Sequence, residues 1–283
     1  MHVREPAFAG SWYPDTAAGC RRGIEGFLEE RPLAGLPRPP LAGIVPHAGW
    51  FFSGSLACHI IGLLQEDPPP DILVIFGMHM HPASSPLMMT TGAWRTPLGN
   101  LPVAEDLARH LAAQFAFETE SPREPNRDNT IELQLPFIRH FFGPVPILPI
   151  GVPPSTEALR IADAVATYAQ TAKQRIKVIG STDLTHYGPN YAFTDKGRGA
   201  AAVKWVREEN DRRFIDALLA LAPGRVIDEA QRRQNACCAG AAAACVEAAM
   251  GLGARQAQLQ AYATSHDKSP GDSFVGYAGV VFF

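Results

Sequence analysis

The 283-residue sequence has no marked excess of either charge: 25 Lys and Arg stand against 28 Asp and Glu, a formal net charge of -3. Binding to nucleic acid or to an anionic membrane surface calls for basic patches, so neither partner is expected. Long hydrophobic runs are missing too. No apolar stretch approaches the roughly 20 residues that a membrane-spanning helix needs. The N-terminal region lacks a basic segment followed by an apolar core, and Glu5 and the turn-like Ala9-Gly10-Ser11-Trp12 come too early for a signal peptide. Cysteine is scarce: Cys20, Cys58, Cys237, Cys238 and Cys245 make an odd count of five, with no CxxC pair. Without a secretion signal, that count implies reduced thiols and a cytoplasmic protein. No GxSxG nucleophile elbow occurs. Gly197-Arg198-Gly199 follows no strand pattern, which excludes a phosphate loop.

What is present is a core-forming composition, 46% hydrophobic and 19% charged, in which strand and helix patterns alternate. Ala42–Val45, Ile72–Gly77, Val145–Val152 and Ile176–Ile179 read as strands, because short apolar runs rich in β-branched residues suit a pleated surface. Gln258–Ala263 and Phe274–Phe283 read as closing strands. Between them lie helical spacings: Cys20, Ile24, Phe27 and Leu28 after a cap at Asp15 or Thr16, then Ala57, Ile60, Ile61 and Leu64 after a cap at Ser53. Leu159, Ala162 and Val165 follow a cap at Ser155, a long pattern runs from Ala200 to Leu221, and Ala239–Met250 is a small-residue helix. Asn126–Phe137 is ambiguous between strand alternation and a helix capped by Thr130; the helix is the expectation. No repeat or linker appears, which predicts one layered α/β domain over residues 1–283.

Chemistry-bearing residues gather where three of these strands end. Ile176–Ile179 leads into Asp183 and His186, Ala42–Val45 leads through Pro46 into His47, and Ile72–Gly77 runs into Met78-His79-Met80-His81. Open α/β sheets place ligands beyond the carboxyl ends of their strands. With the Cys237-Cys238 pair, these residues form a mixed nitrogen and sulfur set suited to iron, copper or zinc. Their scatter along the chain suits a catalytic site better than a small structural zinc site. His59, on a helix pattern, reads as an ordinary packed or surface residue.

Ala9-Gly10-Ser11-Trp12-Tyr13, Pro46-His47-Ala48-Gly49, Arg95-Thr96-Pro97-Leu98, Ile131-Glu132, Leu135-Pro136, Ser181-Thr182-Asp183 with His186, and Gly276-Tyr277-Ala278 together resemble the Memo family. This is the protein B component of the AmmeMemoRadiSam group. The resemblance implies a three-layer α/β/α sandwich around a mixed sheet, like that of the class III extradiol dioxygenases. It implies a non-haem metal, Fe(II) first with Cu or Zn as alternatives, held by His47, His79 and Cys237. His81 or Met80 is the alternative to His79, and Cys238 the alternative to Cys237. It further implies a His186 base oriented by Asp183, a small-molecule or peptide ligand, and a functional link to a radical SAM protein. Asn129 stands where many members carry a histidine. A binding module without catalysis, or a hydrolase with a Cys237 nucleophile served by His186 and Asp183, are the other readings.

Overall fold

A computed structural model describes residues 2–32, 36, 38–120 and 127–283. Its centre is a mixed sheet of nine strands among the described residues. Ala42–Val45, Ile176–Ser181, Ile72–Gly77 and Ile147–Gly151 lie side by side in that order, all parallel. Phe274–Phe282 joins antiparallel beside Ala42–Val45 and also pairs with Ala257–Thr264. The four parallel strands are buried on both faces, which is why each reads as a continuous apolar run rather than an alternating one.

Two glycines show how tightly the layers close. In the parallel register Gly43 pairs with Ile179 and Ile44 with Gly180, so neighbouring positions face opposite sides of the sheet. A Cβ on Gly43 would lie 2.6 Å from Ile60 in the helix Trp50–Leu63. A Cβ on Gly180 would lie 2.6 Å from Cys245 in the helix Ala239–Gly251. Helices therefore cover both faces. Ala17–Glu30, Trp50–Leu63 and Leu135–Phe142 pack on one side, and Thr156–Thr171 with Ala239–Gly251 on the other. This is the three-layer α/β/α arrangement that the resemblance implies. Among the described residues, no helix is long and apolar enough to cross a membrane.

Several local expectations are revised. Thr16, not Asp15, caps the first long helix, its Oγ1 accepting from Gly19 N. Ser53 caps nothing: the helix already begins at Trp50, and Ser53 Oγ turns back to donate to the Ala48 carbonyl. Asn126 lies outside the described residues; beyond it the ambiguous stretch is helical in two pieces, Asn129–Glu132 and Leu135–Phe142. Its cap is Asp128 rather than Thr130. The single helix expected from Ala200 to Leu221 is instead Ala200–Trp205 and Asp211–Leu219, joined by a π turn over Val206–Asn210.

The cause of that π turn is polar. Asn210 and Asp211 are both buried, and the wider turn lets consecutive residues face inward. Asp211 accepts hydrogen bonds from Thr185 N, Thr185 Oγ1 and Tyr262 Oη. Burial still pushes its carboxyl up to about 7, despite those donors. Asn210 Nδ2 donates to Thr185 Oγ1 and to the Arg233 carbonyl. The pair thus fastens the backbone directly before His186 to the segment that leads into Cys237.

Candidate metal centre

The parallel register brings the carboxyl ends of Ala42–Val45 and Ile176–Ser181 level, with Val45 opposite Ser181. The chain then turns His47 inward, and the ring is almost fully buried. His47 Nε2 lies 3.2 Å from Cys237 Sγ. Its Nδ1 lies 3.0 Å from Ser181 Oγ. Ser181 has one hydroxyl proton, and Oγ gives it to the Thr130 carbonyl at 2.7 Å. Oγ must therefore accept from His47, which places a proton on Nδ1 and aims Nε2 at the sulfur. Asn129 Nδ2 donates to the His47 carbonyl at 2.9 Å, and Asp183 Oδ1 accepts from His47 N at 2.7 Å.

His79 reaches the same point from the next strand but one neighbour away. Met78 adopts φ 71°, an uncommon backbone state for a residue with a side chain, and turns the chain out of the sheet. Thr130 Oγ1 accepts from Met78 N, and Asp128 Oδ2 lies 3.2 Å from both the backbone N and Nδ1 of His79. The carboxylate therefore accepts from Nδ1–H and leaves Nε2 for the cluster. The His47 and His79 rings meet edge to face, with centroids 5.1 Å apart. His81 points elsewhere, its Nδ1 accepting from Ala83 N in an exposed turn, and Met80 packs against the core. The structure thus brings His79, not its neighbours, to His47.

Cys237 arrives just before the helix Ala239–Gly251, where Ala236 bridges Leu184. Its backbone N donates to the Asp183 carbonyl at 3.2 Å, and Cys238 N donates to Thr182 Oγ1 at 3.1 Å. One ligand atom each from His47, His79, Cys237 and Cys238 lies within 4.8 Å of all the others. The electrostatics match a thiolate held by imidazolium. Burial raises a thiol, yet the Cys238 hydrogen bond and the charge of His47 hold Cys237 well below the ordinary thiol value. Burial opposes charge on His47, but Asp183 and Cys237 outweigh it and raise the imidazole. The Asp128 hydrogen bond, followed by that of Cys237, lifts His79 to about 10. Burial would raise Asp128, but the His79 and Thr130 hydrogen bonds bring it down to about 2. A cation bound by these groups would compete with protons for them.

Above the histidines opens a cleft of about 530 Å³. Trp12, Phe51 and Tyr191 stand at it with large exposed faces, and Asn129, Asp183 and His186 lie within. The placement of His186 corrects one expectation. Its Nδ1 lies 3.1 Å from the Leu184 carbonyl, so a backbone acceptor orients the ring. Asp183 instead serves His47, with Oδ2 3.9 Å from Nε2. His59 is buried in its helix, away from the cluster.

A model of the Memo-like protein family matches residues 4–281. The chain belongs to the Memo family. Among Memo-family relatives, a MEMO1 family protein of Methanopyrus kandleri is 33% identical, covering 99% of this chain and 98% of its own length. One from Thermococcus onnurineus is 31% identical over 99% of both chains. An uncharacterized Escherichia coli K12 protein of known structure shares the fold at 11% identity, with a TM-score of 0.51, covering 86% of this chain and 99% of that one.

The residues of this Memo chain whose part in the site the sequence did not reveal are Asp128, Ser181 and Thr130. Asp128 and Ser181 each touch a histidine and Thr130 holds Met78 and Ser181, all through contacts distant in sequence, and only the Asp-x-Thr cap pattern at Asp128 left a local trace. Ser181→Ala removes the acceptor for His47 Nδ1 without altering the strand. Metal affinity should fall about 10–100-fold, the usual effect of losing such a supporting partner. Titration of the folded variant with zinc checks this; unchanged affinity would remove Ser181 from the account.

Proposed function

We propose that the protein carries a mononuclear metal held by His47, His79 and Cys237, and acts with it on a small-molecule or peptide ligand in the cleft. The observation behind this reading is the convergence of those donors at the cleft floor, each histidine with its Nδ1 engaged and its Nε2 directed at the thiolate. The donor chemistry fits: imidazole and thiolate accept Fe(II), copper and zinc. Fe(II) is the metal implied by the extradiol resemblance. When bound, such a metal supplies a Lewis acid and, for iron or copper, one-electron chemistry. The chain's own contribution is a floor with His47 buried in it, aromatic walls at Trp12, Phe51 and Tyr191, and His186 Nε2 as a proton acceptor. A radical SAM protein of the same system is the proposed functional partner.

The test is a metal titration at several pH values on untagged, anaerobically purified protein. Two raised imidazoles must lose their Nε2 protons before they can ligate. Affinity should therefore rise with pH, by roughly tenfold per displaced proton per unit, and level off as His79 is titrated near 10. A flat profile, or binding that survives loss of both histidines, contradicts the reading. A second reading has support in the Cys237–His47 distance of 3.2 Å, which also suits a nucleophilic thiolate and its imidazolium. Turnover of a substrate by metal-stripped protein would favour it.

A further inference from the structure

We infer that Cys238 is a second thiolate ligand, so that the centre is a four-coordinate His47-His79-Cys237-Cys238 site. The inference rests on the metal reading above and concerns how many sulfurs the metal takes. In the sequence Cys238 stands only as the alternative to Cys237, at the start of an alanine-rich helix. Its surroundings differ from those of Cys20, Cys58 and Cys245, which are buried within helices and lie outside the cluster.

Three observations support it. First, the separations are those of a tetrahedron. Bonds of about 2.3 Å to sulfur and 2.0–2.1 Å to nitrogen put two sulfurs about 3.8 Å apart, and a sulfur and a nitrogen about 3.6 Å apart. The two Sγ atoms lie 3.7 Å apart, and Cys237 Sγ lies 3.2 Å from His47 Nε2. The remaining pairs are all within 4.8 Å, so small side-chain adjustments, with the Cys237–His47 pair opening slightly, complete the figure.

Second, adjacent cysteines reach one ion only if the backbone holds both side chains on one side, and here it is pinned twice. Cys237 N is fixed to the Asp183 carbonyl, and Cys238 N to Thr182 Oγ1, which itself donates to the Asp183 carbonyl. The helix start is fixed from the other direction. A Cβ on Gly240 would lie 2.5 Å from the backbone of Val152 and Pro153, so the helix is seated against the end of the neighbouring strand.

Third, the cleft is lined by His47 and His79, and neither cysteine is among its lining residues. Cys238 is buried and Cys237 partly so, which makes a charged sulfur there costly without a cation as partner.

A two-nitrogen, two-sulfur tetrahedron is filled by its own chain and favours soft or borderline ions. It would select zinc or copper(I) over the iron(II) that a one-thiolate site with an open position suits.

X-ray absorption at the zinc edge, on the full chain loaded with one zinc, counts the sulfurs directly. Wild-type protein should show two sulfurs near 2.3 Å and two lighter ligands near 2.0–2.1 Å. Cys238→Ala should show one sulfur, with an oxygen or nitrogen in its place, while circular dichroism verifies the fold. Cys238→Ser serves as a second variant should alanine disturb the helix start. One sulfur in the wild type overturns the inference and leaves the three-ligand reading standing. Two sulfurs persisting in the variants also overturn it. Absence of any sulfur at bound zinc would instead defeat the metal reading itself.

Discussion

Cys237→Ser should abolish tight metal binding while leaving the protein folded. Four-ligand zinc sites carry apparent binding free energies of about 10–16 kcal/mol, so one thiolate accounts for about 3–4 kcal/mol. That is a loss of two to three powers of ten in affinity. The effect is readable without any substrate. Metal in hundredfold excess over its Kd stabilises the wild type by about 2.7 kcal/mol, a rise of roughly 5–10 °C in Tm for a chain of this size. At the same metal concentration the variant should show almost no rise. Cys237 is half-buried and its backbone contacts do not depend on sulfur, so the metal-free variant should melt close to metal-free wild type. An equal metal-induced rise in both proteins would remove Cys237 from the ligand set.

The second large effect concerns the N-terminal segment and Glu132. The carboxylate is buried and accepts from Ala7 N at 2.8 Å, Phe8 N at 2.7 Å and Tyr13 Oη at 3.0 Å. One side chain thereby ties residues 7–13 to the helix that follows Asp128. The same segment places Ser11 and Trp12 at the cleft, and Trp12 O accepts from Trp50 N. Hydrogen bonds to a charged group contribute about 1.5–3 kcal/mol each, and donors left unpaired away from water cost more than an exposed pair. Glu132→Ala should therefore lower stability by about 3–5 kcal/mol, or roughly 6–15 °C in Tm. Glu132→Gln keeps an acceptor oxygen and should lose less. Urea denaturation of both variants measures this; a loss under 1 kcal/mol from alanine would show that the segment holds by packing alone.

These two residues also show what the sequence makes legible. Glu132 was visible only as part of a shared motif, because its three partners lie more than a hundred residues away and leave no local pattern. The strand ends were legible, since buried parallel strands are continuous apolar runs and their termination is abrupt. His47 followed from that, two residues past such an end. Spacing favoured His79 but did not exclude Met80 or His81. The choice depends on the left-handed turn at Met78 and on Asp128, a partner 49 residues distant.

Asp183 was legible as a site residue but not in its contact. The spacing suggested His186, whereas the parallel register carries its carboxylate to the backbone of His47. The helix from Ala200 failed for a related reason. Its apolar spacing is sound, yet Asn210 and Asp211 turn inward to serve Thr185, and a 3.6-residue period has no means of announcing that.

The central claim is that one metal sits where these strands end. The most direct measurement is an anomalous difference map, collected at the absorption edge of the added metal, from crystals of the metal-loaded protein. The account predicts a single strong peak bonded to His47 Nε2, His79 Nε2 and Cys237 Sγ, at about 2.0–2.3 Å from each. A fully loaded crystal with no peak there, or with its peak at His81 or elsewhere on the surface, would contradict it.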